Sequence, residues 1–213
     1  MNILVQLKNL LMESLIENKK LLIGLYALFI IVFMIAWIYS SSHAAEAIST
    51  LNAANDTASS MGLSTTVSPV DLFITNEMGG IVTYIASIFF GIFAIVGLLY
   101  NALNLGALGP IMGYFSPGGS LQYIIYLIPH GIFEITATVL QSAAGILLFM
   151  FIYRFIMAIV GKETRGLSES FEKAKKPLIH SLVIMVFATI LLLIAAPIEA
   201  YISVPISELL LGI

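Results

Sequence analysis

Apolar runs of membrane-spanning length alternate with short polar segments along the chain. The first run follows Lys20 and continues without interruption to Tyr39, about the 20 residues that an α-helix needs to cross the hydrocarbon core of a bilayer. Trp37 and Tyr39 stand near its end, where aromatic side chains are enriched at membrane surfaces. The pattern predicts further membrane helices over Gly79–Tyr100, Gly131–Val160 and Pro177–Ala200.

Polar segments precede or separate these runs. Residues 1–20 carry apolar side chains at helical spacing with Lys and Glu between them, which predicts an amphipathic helix on the membrane surface. Residues 40–78 are rich in Ser, Thr, Ala and Asn, which predicts a solvent-facing loop with one helix in its first half. Residues 161–176, with the sequence GKETRGLSESFEKAKK, predict a second polar loop.

Glycine and proline interrupt the apolar segment between residues 101 and 130. A proline cannot continue an existing helix but is well suited to begin one, so Pro129 and Gly131 favour the start of a new long helix. Irregular backbone at membrane depth is tolerated only where it is buried in protein or lines a wet cavity. We therefore expect a broken or re-entrant segment near residues 101–130. Five plain helices with a proline kink are the alternative.

The composition is that of an integral membrane protein. Of the 213 residues, 60% are hydrophobic and 10% are charged, and the mean hydropathy is +1.04. In a soluble domain about 25% of the residues are charged. We expect an all-α bundle of about four to five transmembrane helices that forms a single membrane domain over residues 1–213. Cysteine is absent, which excludes thiolate metal sites, iron–sulfur clusters and cysteine nucleophiles.

The basic residues fall in two places, before the first run and between residues 154 and 176. Lys and Arg are enriched on the cytoplasmic side, so both places are expected there, with the N-terminus cytoplasmic and residues 40–78 external. The chain is thus predicted to be a multi-pass protein of the cell membrane. If Gly79–Tyr100 returns the chain to the cytoplasm and Gly131–Val160 also ends there, the segment from Asn101 to His130 must cross the membrane once in net.

His130 and Glu134 lie four residues apart within a strongly apolar part of the chain. On a helix they share a stripe with Gln141 and small residues, opposite an apolar face. An ionisable group at membrane depth costs at least about 2.5–3.5 kcal/mol, so the stripe must face protein or water. We expect Glu134, protonated or paired with His130, to belong to a network that locks the interrupted segment. The predicted intramembrane polar site comprises His130, Glu134, Gln141, Asn101 and Asn104.

The same residue pair has other uses. A His/Glu pair inside a membrane can relay protons or line a substrate path, as in transporters. Metal binding is not expected, because two ligands at i, i+4 are too few for a zinc site and HGIFE is not the H-E-x-x-H motif. We therefore predict no catalytic residue, no metal and no cofactor. An intramembrane metal-dependent hydrolase is the enzymatic alternative.

Two stretches resemble the stage II sporulation protein M family of multi-pass membrane proteins. These are FITNEMGGIVTYIASIFFGIFAIVGLLYNALNLGALGP and LIPHGIFEITATVLQSAAGILL, and the resemblance covers about Phe73 to Leu148. Ala102 departs from the Asn–Gly step of the family pattern. The matching positions are Asn76, Gly91, Asn101, Gly106, Pro129, His130, Gly131, Glu134, Ala143, Ala144 and Gly145.

The resemblance implies a membrane scaffold. The bacterial sporulation member helps to assemble a cell-wall hydrolase complex, and its partners carry the enzymatic activity. We therefore expect a non-enzymatic scaffold or assembly factor that contacts the lipid bilayer and a protein partner or a second copy, but no nucleic acid. The alternative is a transporter or channel subunit that uses the polar site at His130 and Glu134.

Overall fold

The structure is a computed structural model that describes residues 3–60, 68–161 and 166–212, with the backbone alone for residue 45 and residues 47–60. The helices are α1 (Ile3–Glu17), α2 (Lys19–Ser60), α3 (Pro69–Ala86), α4 (Ile92–Phe115), α5 (Gly119–Val160), α6 (Leu167–Ile198) and α7 (Val204–Leu211). All regular structure in the described residues is helical, which confirms the predicted all-α fold. Four helical stretches there are long and apolar enough to cross a membrane, namely Lys19–Ala44, Ile92–Phe115, Gly119–Val160 and Leu167–Leu211.

Helices α2 and α4 run side by side in the same direction. Leu98 near the start of α4 belongs to one buried cluster with Leu25 near the start of α2. Further along both helices, the Ser40 hydroxyl donates to the carbonyl of Ala107 (2.8 Å). A helix of opposite direction must connect them, and α3 is that helix. Its 18 residues give about 27 Å at 1.5 Å per residue, and it is not among the four described stretches apolar enough to cross a membrane.

Helices α5 and α6 form an antiparallel pair. The Ser181 hydroxyl, in the first half of α6, donates to the Ala144 carbonyl in the second half of α5 (2.7 Å). At the opposite end of the pair, His130 Nδ1 lies 2.8 Å from Ser203 Oγ. The direction therefore alternates from α2 to α6, and the starts of α2 and α6 share one end of the bundle. We call this the basic end, because it holds Lys19, Lys20, Lys173, Lys175 and Lys176. The other end is the turn end.

The predicted second membrane helix, Gly79–Tyr100, is in fact divided. α3 ends at Ala86 and α4 begins at Ile92. Between them Phe90 (φ 64°) and Gly91 (φ 67°) adopt the left-handed conformation. Two successive left-handed residues end a right-handed helix, and glycine enters that region without the Cβ clash of other residues. The prediction of one continuous helix was wrong for this reason.

The interruption expected between residues 101 and 130 is a short turn at residues 116–118, where α4 and α5 meet. Gly113 permits the close approach, because a Cβ there would collide with the Ser120 backbone nitrogen. The predicted helix start at Pro129 is wrong, since α5 begins at Gly119 and continues through Pro129. Proline inside a membrane helix is tolerated where neighbouring groups satisfy the freed carbonyl. α4 is one of the four stretches long and apolar enough to cross a membrane, and it runs from the basic end to the turn end.

The segment predicted as an external loop, residues 40–78, is largely helical. α2 continues to Ser60, with one non-helical residue at His43 (φ −122°, ψ 17°). A capping box between Ser68 and Asp71 starts α3 at Pro69, so residues 69–78 of the expected loop belong to this helix. Hydrogen bonds from Ser68 hold the pKa of the Asp71 carboxyl below its usual range. Residues 61–67 and 162–165 of the two predicted loops lie outside the described residues.

Small residues bring α2 and α4 into close contact. Ala102 is fully buried against α2, and one helical turn later a Cβ on Gly106 would collide with the backbone carbonyl of Phe33. A Cβ on Gly109 would collide with the Trp37 ring. This spacing of small residues is the one that lets helices approach without side chains between them. The glycines of α4 therefore set the distance between the two helices.

Helix α1 is held against α6 by polar contacts at the basic end. Lys176 Nζ lies 2.6 Å from Glu17 Oε1 and 3.3 Å from Glu13 Oε1. In the link between α1 and α2, Asn18 Nδ2 lies 3.1 Å from Nδ1 of the buried His180. The Lys176 hydrogen bond holds the pKa of the Glu17 carboxyl below its usual value of 4.5.

Gly106→Ala is expected to lower the melting temperature of the detergent-solubilised protein. The new methyl group must displace a backbone carbonyl, and overpacking of this kind costs about 1–3 kcal/mol. Circular dichroism during heating measures the effect. Gly24→Ala is the matched control, because nothing lies within 4 Å of a Cβ at that glycine. An equal loss of stability in both variants would contradict this account of the helix contact.

Docking of α1 on α6 is expected to weaken in acid. A carboxyl whose pKa is lowered by folding adds stability above its unfolded pKa, here about 4.5, and loses it as the pH falls through the folded value. The mobility of a spin label on an Asn9→Cys variant should therefore be constant above about pH 4.5 and rise below it. The same acid transition in a Glu13→Gln/Glu17→Gln background would show that these carboxyls are not its cause.

Candidate intramembrane binding site

A cavity of about 520 Å³ lies between α3, α4, α5 and the connection from α6 to α7. At the turn end it is lined by Ser116 and Ser207, and inside the bundle it reaches His130 and Glu134. Beyond Glu134, towards the basic end, the space between α5 and α6 is filled by a buried apolar cluster. Its members include Ala137, Leu140, Ala144, Leu147, Ile184, Ala188 and Leu192.

His130 is almost fully buried, with 2% of its surface exposed, and it lines the cavity. Its Nδ1 lies 2.8 Å from the Ser203 hydroxyl oxygen. The tautomer with its proton on Nδ1 satisfies both contacts of this hydroxyl, which then accepts from the ring and donates to the Ile198 carbonyl (3.2 Å). In that tautomer the lone pair of Nε2 is available to the carboxyl groups.

Glu134 lies one helical turn beyond His130 on the same face of α5. Its Oε2 is 3.9 Å from His130 Nε2, which is too far for a direct hydrogen bond. Its other oxygen, Oε1, accepts a hydrogen bond from Asn76 Nδ2 of α3 (3.3 Å). The amide therefore fixes one carboxyl oxygen and leaves the other directed towards the histidine.

Glu199 is a third ionisable residue in the same place. It begins a π-helical turn, Glu199–Ser203, between α6 and α7, and Tyr126 Oη donates to its Oε1 (3.1 Å). One ligand atom each from His130, Glu134 and Glu199 lie within 4.8 Å of one another. π-helical turns occur often at functional sites, and this one directs both Glu199 and Ser203 towards α5.

Sequence reasoning missed Glu199. The signal that could have found it is an acidic residue two positions after Pro197 in the last apolar run, since an intramembrane carboxyl is by default a functional candidate. Its position does not follow from spacing along the chain, because Glu199 is 65 positions after Glu134. Only the antiparallel packing of α5 and α6 brings the two together.

A separate polar cluster lies closer to the basic end. Gln141 Nε2 donates to Glu77 Oε2 (3.2 Å), and the Thr189 hydroxyl donates to Glu77 Oε1 (2.6 Å). Glu77 is buried, with 8% of its surface exposed. Gly80 makes room for the Gln141 amide, because a Cβ there would collide with it. The polar stripe on α5 is thus divided between two clusters.

The structure brings only part of the predicted site together. His130 and Glu134 meet, whereas Gln141 belongs to the Glu77 cluster. Asn101 donates to the Gly97 carbonyl of its own helix (3.0 Å). Asn104 is exposed on the surface of α4. The network expected with Asn101 and Asn104 is therefore not present, because α4 turns these two residues away from Glu134.

The glycines and the proline of the family motifs shape the backbone and its packing. A Cβ on Gly145 would lie 2.7 Å from Ser87 Oγ and 3.0 Å from the Ala94 methyl, so this glycine lets α5 approach the α3–α4 break. Gly131 is buried beside Leu127 of its own helix. Gly91 and Gly106 have the turn and packing roles described above, and Pro129 lies inside α5. None of these residues supplies a polar group to the cavity.

The arrangement suits the binding of a positive charge. Two carboxyl groups and one imidazole nitrogen converge, and the residues that line the cavity include no Lys or Arg. Carboxylates that share a membrane site without a basic partner are neutralised by protons or by a bound cation. The cavity has room for a small solute at this point. The site can therefore exchange protons or hold a cation.

Comparison with known proteins gives a family and one relative. The family described as stage II sporulation protein M matches residues 25–204. An uncharacterized protein of the archaeon Methanocaldococcus jannaschii is 37% identical over 141 residues, which are 65% of this chain and 72% of the relative. No solved structure matches the chain.

Replacement of Glu134 is expected to separate hydrogen bonding from charge. Glu134→Gln should leave the free energy of unfolding within about 1 kcal/mol of the wild type, since an amide oxygen still accepts from Asn76. Glu134→Ala should destabilise the protein by about 1–3 kcal/mol, because Asn76 loses its partner. Thermal denaturation in detergent measures both. Equal stability of the two variants would contradict a structural role of this carboxyl.

Proposed function

The chain belongs to the stage II sporulation protein M family, and we propose that it is a transporter-type membrane protein that receives a small cation in the cavity ending at His130 and Glu134. The observation that supports this proposal is the meeting of Glu134 and Glu199 with His130 at the inner end of the cavity. Intramembrane carboxyls of this kind are characteristic of ion and proton pathways.

The position of the cavity supports entry from one side of the membrane. Its lining runs from the turn end, near Ser116 and Ser207, to His130 and Glu134 inside the bundle. By the positive-inside rule the turn end is external, so the cation would enter from outside. The packed cluster around Ala137 and Ile184 closes the basic end. Transport therefore requires α5 and α6 to separate there after the cation has bound.

A scaffold is the second candidate function, and the closed basic end favours it. A cavity that ends at a packed apolar layer provides a binding site without a path across the membrane. In that case the chain would hold a partner protein or a second copy in a membrane complex, as the resemblance to the sporulation protein implies. Neither candidate gives the chain a catalytic reaction, and we propose that it is not an enzyme.

The proposed function is tested by reconstitution of the purified protein into liposomes that contain dyes for protons, monovalent cations and divalent cations. At least one cation gradient should dissipate faster than in protein-free liposomes. Glu134→Gln and His130→Ala should abolish that flux, while Asn104→Ala should retain it because Asn104 lies outside the cavity lining. If liposomes with the wild-type protein retain every cation gradient as long as protein-free liposomes do, the transport proposal is overturned and the scaffold function is the remaining candidate.

A further inference from the structure

We propose that His130, Glu134 and Glu199 bind one divalent transition-metal ion of the series from Mn²⁺ to Zn²⁺. The inference rests on the proposed function as far as the use of the cavity is concerned, and it names the class of cation. Sequence analysis predicted no metal because α5 supplies only two ligands. Glu199 of the π-helical turn supplies the third ligand.

The geometry of the three side chains is the first argument. The candidate ligand atoms lie within 4.8 Å of one another, and His130 Nε2 and Glu134 Oε2 are 3.9 Å apart. Bonds of about 2.0–2.2 Å around a tetrahedral ion place its ligands roughly 3.3–3.6 Å apart. Side-chain movements of less than about 1 Å would close the site, which is within the freedom of rotamers that line a cavity.

The support around each ligand is the second argument. Ser203 Oγ lies 2.8 Å from His130 Nδ1, Asn76 donates to Glu134 Oε1, and Tyr126 donates to Glu199 Oε1. Each hydrogen bond uses one atom of the side chain and leaves the second ring nitrogen or carboxyl oxygen available as a ligand. Metal-binding histidines and carboxylates are oriented by outer partners in this way. His130 is 2% exposed, so its free lone pair has no access to bulk water except through the cavity.

The charge balance is the third argument. It differs between the cavity site and a second group of potential ligands at the basic end. Glu13, Glu17 and His180 also offer ligand atoms within 4.8 Å of one another. There Lys176 already lies 2.6 Å from Glu17 and supplies the positive charge. The cavity site has two carboxyls and no Lys or Arg in its lining. A divalent cation would neutralise both.

The ligand types decide the class of ion. An imidazole nitrogen suits zinc, copper, iron and nickel, whereas two carboxylates suit manganese, magnesium and calcium. One imidazole nitrogen with two carboxylates favours an ion that accepts both kinds of ligand. Such ions lie in the series from Mn²⁺ to Zn²⁺. Mg²⁺ and Ca²⁺ prefer oxygen alone and should bind less tightly. The remaining coordination positions face the cavity.

The test is Zn²⁺ and Co²⁺ binding to the full-length protein in detergent, with any affinity tag removed. Calorimetry should show one Zn²⁺ site per chain, and Co²⁺ should give a visible absorption spectrum that Zn²⁺ abolishes. Glu199→Gln and Glu134→Gln should each weaken binding at least about tenfold. Ser203→Ala, which leaves all three ligands in place, should weaken it about tenfold through His130. Glu13→Gln/Glu17→Gln is the control and should bind as the wild type does.

The proposal is overturned if the wild type binds no Zn²⁺, if Glu199→Gln and Ser203→Ala both bind like the wild type, or if only the control variant loses the site. Melting temperatures without metal identify any variant that has failed to fold, and Ser203→Ala then carries the test. Zn²⁺ binding without flux in liposomes would retain the metal site and overturn transport. Proton or monovalent-cation flux without Zn²⁺ binding would retain transport and overturn the metal site.

Discussion

Ionisable side chains cannot face lipid, and this constraint determines how the central helices pack. Glu134 of α5 and Glu199 after α6 belong to stretches long and apolar enough to cross a membrane, where a lipid-exposed carboxyl costs at least about 2.5–3.5 kcal/mol, and Glu77 of α3 is buried against α5 and α6. Each is turned inward and hydrogen-bonded to a neighbouring helix. Glu77 bonds to Gln141 and Thr189, Glu134 to Asn76, and Glu199 to Tyr126. The three helices are thus joined by polar contacts, while α2 and α4 are joined by small residues.

The two kinds of packing give the halves of the bundle different properties. Towards the basic end, buried alanines and leucines of α5 and α6 pack against one another in a single apolar cluster. Towards the turn end, the polar side chains of His130, Glu134 and Glu199 keep the helices apart, and a cavity of about 520 Å³ remains. The break at Phe90–Gly91 and the turn at residues 116–118 allow α3, α4 and α5 to surround that space.

The sequence predicted what depends on local pattern. The helical class, the apolar runs and the pairing of His130 with Glu134 follow from composition and from spacing on one helix. The α3–α4 break was missed because Phe90, a bulky residue, takes a left-handed conformation that only tertiary packing stabilises. Pro129 was assigned to a helix start because proline breaks soluble helices, yet it lies within α5. Glu199 was missed, and Gln141 was assigned to the wrong cluster, because their partners come from other helices.

The central claim is that water reaches the polar site through the cavity, and accessibility to a membrane-impermeant thiol reagent tests it most directly. The chain has no cysteine, so single substitutions report without background. Leu127→Cys lines the cavity one turn from His130, and Val186→Cys faces outward on α6 with 61% of its side chain exposed. We predict that the reagent modifies the first in intact membranes and not the second. An unreactive residue 127 in a folded protein would contradict the account.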